Sequence, residues 1–234
     1  MSLILALDSS TDACSVALSL NGELFAIDEI AAKSHTQRLL PMVDELLQQA
    51  NLGLDDLDAI AFGRGPGSFT GLRICMGIVQ GLAFGAQLPV VPISTLAAMA
   101  LAYYQGADAA VDRPVLVALD ARMEEVYWGL FGYEAGHLVA LTAEYVMRPD
   151  LLILHESLTE LEGQLIGVGS GWHYEPMGAL QPYAVFIDAQ PSARAIVQLA
   201  APIFAAGEAS NILDAEPIYL RDTVSWQKRQ RIRQ

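Results

Sequence analysis

GRGPGSFTGLR, residues 63–73, restricts the fold more than any other segment of this chain. An apolar run at 58–63 leads into it and an apolar helical pattern at about 72–86 follows it, which predicts a strand, a glycine-rich loop and a helix. The next apolar run, 89–93, predicts a strand, and Ser94 is placed to cap the helix after it. Strands that alternate with helices in this way predict an α/β architecture.

The N-terminal third of the chain predicts an antiparallel meander. Residues 3–8, 14–20 and 23–30 have the composition of strands, and Asn21-Gly22 is a strong signal for a two-residue hairpin turn. Ser34-His35-Thr36-Gln37 matches a capping box ahead of an amphipathic helix. A meander followed by strand and helix alternation predicts a mixed sheet.

The second half of the chain predicts a smaller set of elements. Strands are expected at 115–120, 125–131, 137–141 and 164–168, and a helix is expected at 192–206. This half opens as the first half does, with an apolar strand that ends in Asp, a polar turn and a second strand. We therefore predict two subdomains, residues 1–106 and residues 107–234, that are copies of one ancestral unit, the second ending in a basic tail.

The charge of the chain bears on its partners. The 234 residues include 27 acidic and 13 basic side chains, for a formal net charge of −14. Residues 1–227 carry only nine of the basic groups and a net charge of −18, the opposite of what is expected for a protein that holds RNA by itself. The last seven residues contain the other four: Lys228, Arg229, Arg231 and Arg233. This tail is either a solvated chain end or an arm for RNA or an acidic partner.

Two features predict a cytoplasmic location. Cys14 and Cys75 lie in apolar contexts, which favours reduced thiols, and no signal-peptide pattern follows Met1. The long uncharged stretch between Arg73 and Asp108 is divided by glutamines and prolines into apolar pieces shorter than the ~20 residues that span a bilayer. We therefore expect no membrane segment.

Asp8, with Ser9 after it, and Asp120 follow two of the predicted strands, the position where actin-like ATPases hold phosphates and metal. Gly169 lies in a third turn that could admit a nucleotide base. The glycines of the 63–73 loop miss the spacing of dinucleotide-binding and P-loop motifs, which favours a tight, closely packed turn. These residues are weak nucleotide-cleft candidates, and simple polar turns explain them equally well.

The sequence offers no catalytic or metal-binding constellation. Its four histidines, at 35, 137, 155 and 173, lie far apart, and the two cysteines are isolated from them. No G-x-S-x-G segment frames a serine nucleophile. We therefore expect no catalytic residue, no metal site and no cofactor.

Gly77, Gly81 and Gly85 recur every four residues in the helix after the glycine-rich loop, which places three bare positions on one helix face. Glycine costs about 1 kcal/mol relative to alanine at each such position. Two explanations remain open: close packing inside the subunit, or a helix-helix interface with another chain.

Five segments in this order resemble one family. They are ALDSS at 6–10, SHTQRLLP at 34–41, GPGSFTGLR at 65–73, DARMEEVYW at 120–128 and YLRD at 219–222. Over nearly the whole chain the sequence resembles the TsaB (YeaZ) family. The segments at 65–73 and 120–128 are together the most specific motifs.

The resemblance implies an actin-like (ASKHA, ribonuclease-H-like) fold with two subdomains, each a mixed sheet flanked by helices. It also implies a non-catalytic role beside TsaD, which transfers threonylcarbamoyl to N6 of the adenosine adjacent to the tRNA anticodon, and beside the ATPase TsaE. TsaD-like proteins bind metal through two histidines four residues apart, where this chain has Thr95 and Met99. The implied partners are TsaD as heterodimer and TsaE, with a homodimer when the chain is alone and tRNA bound only through the complex.

The implied contact surface for TsaD lies on the two N-terminal helices. Its expected residues are Leu40, Val43, Leu47, Arg73, Gly77, Gly81, Phe84 and Gly85. Two rival hypotheses stay open: an actin-fold kinase or ATPase that uses Asp8 and Asp120, and a glycoprotease-like peptidase.

Overall fold

The computed structural model describes residues 2–20, 23–31, 34–106 and 109–221. The predicted Asn21-Gly22 turn, Asp222 and the basic tail lie outside these residues. Strands flank the 21–22 position and pair as a hairpin from Leu20 opposite Glu23 to Ala13 opposite Ile30.

The first sheet has five strands in the order β3-β2-β1-β4-β5. Their bounds are β1 Ile4–Asp8, β2 Ala13–Leu20, β3 Glu23–Ile30, β4 Ala59–Gly65 and β5 Val90–Ser94. β1 is antiparallel to β2 and parallel to β4, and β4 is parallel to β5, so the sheet is mixed as predicted. Every residue of β1 is buried, which is expected for a central strand with both faces covered.

Helices cover both faces of this sheet. They are α1 His35–Ala50, α2 Phe69–Ala86, α3 Thr95–Tyr104 and α5 Ala193–Ala205, whereas the short α4 Pro149–Leu152 packs through Leu152 in a separate core with Leu116 and Trp128. α1 and α2 pack on one face through a core that includes Leu7, Met42 and Val79. α3 and α5 pack on the other face, where small residues such as Ala6 and Ala61 allow α5 to lie close to the strands.

The second sheet repeats the strand order of the first. Its strands are β6 Val115–Asp120, β7 Val126–Glu134, β8 His137–Ala140, β9 Tyr145–Met147, β10 Ile166–Val168 and β11 Ala184–Phe186. The order is β11-β10-β6-β7-β8, with β9 also paired to β7. β6 is antiparallel to β7 and parallel to β10, just as β1 is antiparallel to β2 and parallel to β4. This shared topology supports the hypothesis of a duplicated unit.

α3 lies between the two sheets and α5 returns to the first one. Leu96 and Met99 of α3 share a buried cluster with Val117 and Val168 of the second sheet. α5, although it comes late in the chain, contacts β1, β2, β4 and β5. The subdomain boundary at residue 106 therefore stays a prediction, and at least one helix beyond it belongs to the first sheet.

The capping box predicted at Ser34 is wrong. The Ser34 side chain makes no cap hydrogen bond, because its hydroxyl turns back and donates to the carbonyl oxygen of Ala31 at 3.0 Å. The cap predicted at Ser94 is confirmed, since Ser94 Oγ accepts from the Ala97 N–H at 3.1 Å. The short elements α4, β9 and β11 were not predicted from the sequence.

Two structural features concern the expected location. Cys14 and Cys75 are both buried free thiols. α2 is the one described helix that is long and apolar enough, by length and composition, to cross a membrane. A core helix of a globular domain meets the same criteria, and α2 packs on the first sheet through Cys75, Val79 and Ala83.

Candidate functional site

The turn after β1 places Asp8 in the interior. Asp8 is 1% exposed. Its Oδ1 accepts hydrogen bonds from the Ser10 N–H at 3.0 Å and from Ser10 Oγ at 2.9 Å. Its Oδ2 is buried and has no hydrogen-bond partner among the described residues. The first candidate of the nucleotide cleft is therefore a buried carboxyl that is only half satisfied.

The environment of Asp8 favours the protonated carboxyl. Burial raises its pKa to about 6, against 3.8 for an ordinary aspartate, while the two Ser10 hydrogen bonds and the charge of His35 lower it. Burial dominates because removal of a charge from water is costly when few groups replace the lost hydration.

The glycine-rich loop closes directly over this turn. A Cβ on Gly63 would overlap Asp8 Oδ2, and one on Gly71 would overlap the Ser9 carbonyl oxygen. The Ser68 N–H donates to the Ser10 carbonyl oxygen at 2.6 Å. Ser9 Oγ donates to the Gly71 carbonyl oxygen at 2.9 Å. The glycines thus permit close packing of chain on chain, which confirms the interpretation of the loop as a tight turn.

The N-terminus of α2 is capped from within the loop. Ser68 Oγ accepts from the Gly71 N–H at 3.3 Å. Ser9 and Ser10 beneath it are 0% and 1% exposed. The place where a strand-loop-helix motif would hold a phosphate is therefore filled by the chain itself.

The corresponding turn of the second sheet is also engaged. Asp120 Oδ1 accepts from the Arg122 N–H at 2.8 Å and from the Tyr174 hydroxyl at 3.0 Å, and Oδ2 accepts from Arg122 Nη1 at 3.0 Å. Gly169 has φ of +99°, and a Cβ there would lie 2.6 Å from the Ala118 carbonyl oxygen. Asp8 and Ser9 thus lie together in the first sheet, and Asp120 and Gly169 lie at the second sheet. Protein groups bond both oxygens of Asp120 but only Oδ1 of Asp8.

The position of the metal-binding histidines of TsaD-like proteins does not fit a metal in this chain. Thr95 and Met99 lie at the start of α3 and are 0% and 1% exposed. A threonine hydroxyl and a thioether are poor replacements for imidazole. Within the described residues, no group of three or more His, Cys, Asp or Glu side chains could hold a metal ion.

The strand-end turns are filled by the chain, whereas the outer face of α1 and α2, which we call the α1–α2 face, is open. A Cβ on Gly77, Gly81 or Gly85 would meet no described atom within 4 Å, so these glycines do not serve packing inside the subunit. Phe84 and Leu40 beside them are 71% and 48% exposed. Exposed apolar side chains around bare helix backbone are typical of a surface that another chain covers.

The other expected contact residues differ in exposure. Val43 and Leu47 are buried and line a groove of about 220 Å³, together with Leu40, residues 52–54 and Leu82 of α2. The Arg73 guanidinium lies 3.5 Å above the Phe69 ring. Val43 and Leu47 therefore shape the groove floor, whereas Leu40, Arg73 and Phe84 project from the surface.

Sequence reasoning missed one part of this surface. A cavity of about 690 Å³ lies at the C-terminal end of α2, lined by Phe84, Gly85 and Leu88 and by residues 209–213. Leu213 at its rim is 79% exposed. A backbone bridge between Val90 and Ser210 brings this late segment to the helix end, and no local pattern in the sequence signals such a bridge.

Comparison with known proteins identifies the fold. The family model for TsaD, tRNA N6-adenosine threonylcarbamoyltransferase, matches residues 27–169. YeaZ from Pseudomonas aeruginosa superposes with a TM-score of 0.84 at 40% identity, over 94% of this chain and all of that one. A second structure of similar fit, with a TM-score of 0.85, is described as similar to peptidase YeaZ. The chain is thus an actin-like α/β protein of the TsaD type.

The sequence relatives are more specific. The chain is 42% identical to tRNA threonylcarbamoyladenosine biosynthesis protein TsaB of Escherichia coli K12, over 96% of this chain and 97% of that protein. It is also 42% identical to TsaB of Haemophilus influenzae, over 96% of each. The chain belongs to the TsaB family.

The loop packing predicts opposite effects for two glycine substitutions near α2. Gly71→Ala should lower the free energy of unfolding by about 1–3 kcal/mol, because its Cβ overlaps the Ser9 carbonyl oxygen. Gly77→Ala, in open space on the same helix, should raise it by about 0.5–1 kcal/mol. Urea denaturation of both variants checks this. Equal effects of the two substitutions would contradict the packing role of the loop.

The pKa of Asp8 predicts a pH-dependent stability. Because the folded pKa of about 6 exceeds 3.8, the Asp8 contribution to stability is complete below pH 3.8 and is lost as the pH rises through about 6. Asp8→Asn cannot ionise. Between about pH 4 and pH 7 its free energy of unfolding should therefore gain up to about 3 kcal/mol relative to the native chain. Urea titrations across this range measure the difference, and a difference independent of pH would contradict the burial of the charge.

Proposed function

We propose that this chain is a non-catalytic subunit in the synthesis of threonylcarbamoyladenosine in tRNA. In this role it acts as scaffold and activator of the transferase TsaD, together with the ATPase TsaE. Its E. coli and H. influenzae relatives carry the name tRNA threonylcarbamoyladenosine biosynthesis protein TsaB. The observation that carries the proposal is the bare apolar α1–α2 face, together with strand-end turns in which Asp8 is enclosed and Asp120 is hydrogen-bonded.

The strand-end residues support a non-catalytic role. Asp8 is buried under the glycine-rich loop, and Asp120 accepts hydrogen bonds from Arg122 and Tyr174. A kinase or ATPase of this fold would need such carboxylates free for magnesium and phosphate. We therefore propose that the chain binds nucleotide weakly or not at all, and isothermal calorimetry with ATP and magnesium tests this. Tight, magnesium-dependent binding by the isolated chain would favour the kinase alternative.

The α1–α2 face supports a partner of related fold. Packed helices lie 8–10 Å apart, and glycine at a contact allows the closest approach. Because the TsaD model matches this chain, TsaD is expected to present an equivalent helix pair, and a second copy of this chain presents the same one. Equivalent faces can meet about a twofold axis. We propose a heterodimer with TsaD and, in its absence, a homodimer through the same face.

The charge of the chain supports a complex in which the partner subunits, and not this chain, bind the tRNA. A body with a net charge of −18 repels phosphate groups, so the RNA-binding surface is assigned to the partner subunits. A cytoplasmic location follows from this role, since the tRNA substrate is cytoplasmic.

A bulky residue on the α1–α2 face should weaken the complex with TsaD and leave the subunit folded. Gly81→Leu adds a side chain where no described atom lies within 4 Å, so the melting temperature should not fall. The added layer should separate the helices and weaken association with TsaD by about 10–100-fold, with loss of tRNA modification in the reconstituted system. Analytical ultracentrifugation measures the association.

Gly178→Leu is the matched control. Gly178 is also an exposed glycine with no described atom within 4 Å of an added Cβ, but it lies in the second half of the chain, outside the α1–α2 face. It should leave both association and modification unchanged. Normal association by Gly81→Leu would place the interface elsewhere. A sharp fall in its melting temperature would contradict the open surroundings of Gly81.

The isolated chain should neither modify tRNA nor bind it tightly at physiological salt. Residues 1–227 carry a net charge of −18, which repels phosphate groups, and the tail cations can supply only a short, salt-sensitive contact. Filter binding with labelled tRNA and a modification assay measure the two properties. Submicromolar binding by this chain alone would be incompatible with the assigned division of labour.

A further inference from the structure

The turn between β6 and β7 has an unusual backbone. Arg122, Met123 and Glu124 have φ angles of +61°, +55° and +60°. The left-handed region is unfavourable for residues with a Cβ, and three consecutive ones rarely occur. Such a conformation persists only where surrounding contacts hold it. The turn therefore requires partners from elsewhere in the chain.

Arg221 supplies those contacts. Its Nη2 donates to the Ala121 carbonyl oxygen at 3.2 Å and to the Arg122 carbonyl oxygen at 3.4 Å. The same guanidinium forms an ion pair with Glu125. One planar group thus binds both ends of the left-handed turn, because Nη2 contacts these three oxygen acceptors and Nη1 donates to Met123 Sδ at 3.6 Å. A guanidinium can hold both nitrogens against the turn because its donors are fixed in a fork.

The residues just before Arg221 are attached to the first sheet. The Ile218 N–H donates to the Arg64 carbonyl oxygen at 2.8 Å. The Tyr219 ring lies 5.6 Å from the Phe69 ring, and the Tyr219 hydroxyl accepts from Arg73 Nε at 3.3 Å. Residues 216–221, which we call the C-terminal strap, therefore connect the glycine-rich loop and α2 to the turn of the second sheet.

We propose that the C-terminal strap is a latch between the two sheets, with Arg221 as the positioning residue that keeps the 122–124 turn left-handed. The contacts at its two ends depend on each other, since only Tyr219 and Leu220 lie between Ile218 and Arg221. Loss of either end lets the turn relax toward ordinary backbone angles. The latch also links α2 to the second sheet, because Phe69 and Arg73, which hold Tyr219, belong to α2.

Hydrogen exchange in the turn tests the latch. The Ala121 and Glu125 amides bond to Glu125 and Arg122 carbonyl oxygens within the turn, so their exchange reports its opening. Arg221→Ala should speed the exchange of both amides about tenfold or more, the effect expected from loss of hydrogen bonds to a charged group. Arg221→Lys should rescue only part, because an ammonium cannot reproduce the fork. Arg194→Ala, which removes an exposed ion pair with Asp28 at the first sheet, is the control and should leave the turn unchanged.

Tyr219→Ala distinguishes a latch between the two sheets from a contact that Arg221 makes with the turn by itself. Its described aromatic and hydrogen-bond contacts are with Phe69 and Arg73 of α2, yet a latch requires faster exchange at Ala121 and Glu125 when this end is released. Tyr219→Phe keeps the ring and should behave nearly as the native chain. Exchange in β1 and β2 shows that each variant is folded. Unchanged turn exchange in Arg221→Ala, or in Tyr219→Ala while Arg221→Ala accelerates it, would overturn the proposal.

Discussion

Contact between the glycine-rich loop and the turn after β1 is the constraint on which the rest of the molecule depends. Gly63 and Gly71 lie so close to Asp8 and Ser9 that a single Cβ at either position overlaps the neighbouring chain. This contact sets where α2 begins, and with it the direction of the helix over the sheet. It also removes Asp8 from water, which raises its pKa to about 6.

Because α2 is fixed in this way, one of its faces packs on the sheet and the other faces outward. The inward face carries Cys75, Val79 and Ala83, whereas Gly77 and Gly81 lie on the outward face with open surroundings. The glycine-rich loop fills the position where an actin-like fold would hold a phosphate. By fixing the start of α2, the same loop also sets which way the α1–α2 face points. A fold with two related sheets can in this way keep its architecture while its function moves from a cleft to a helix face.

Local signals predicted much of this architecture. The strand, loop and helix at 58–86 could be predicted because apolar periodicity and glycines mark both ends, and Ser94 could be recognised as a cap because its hydrogen bond is local. Predictions failed where the sequence does not signal which partner a side chain takes. Ser34 has the pattern of a cap, yet its hydroxyl bonds to Ala31, three residues earlier. The contact of Arg221 with a turn about 100 residues earlier in the chain has no local pattern. Asp8 and Asp120 were identified from their positions after strands, but only three-dimensional packing shows that Asp8 is enclosed and that protein groups bond Asp120.

Hydroxyl-radical footprinting of this chain, free at a dilution where it is monomeric and in complex with TsaD, tests most directly the claim that the protein works through its α1–α2 face. Phe84 and Leu40 are exposed in the free chain, as are Tyr183 and Leu154 of the second half, which serve as internal references. The account predicts that TsaD protects Phe84 and Leu40 from oxidation and leaves Tyr183 and Leu154 unchanged. Protection of the references, with Phe84 and Leu40 still oxidised at the rate of the free chain, would contradict it.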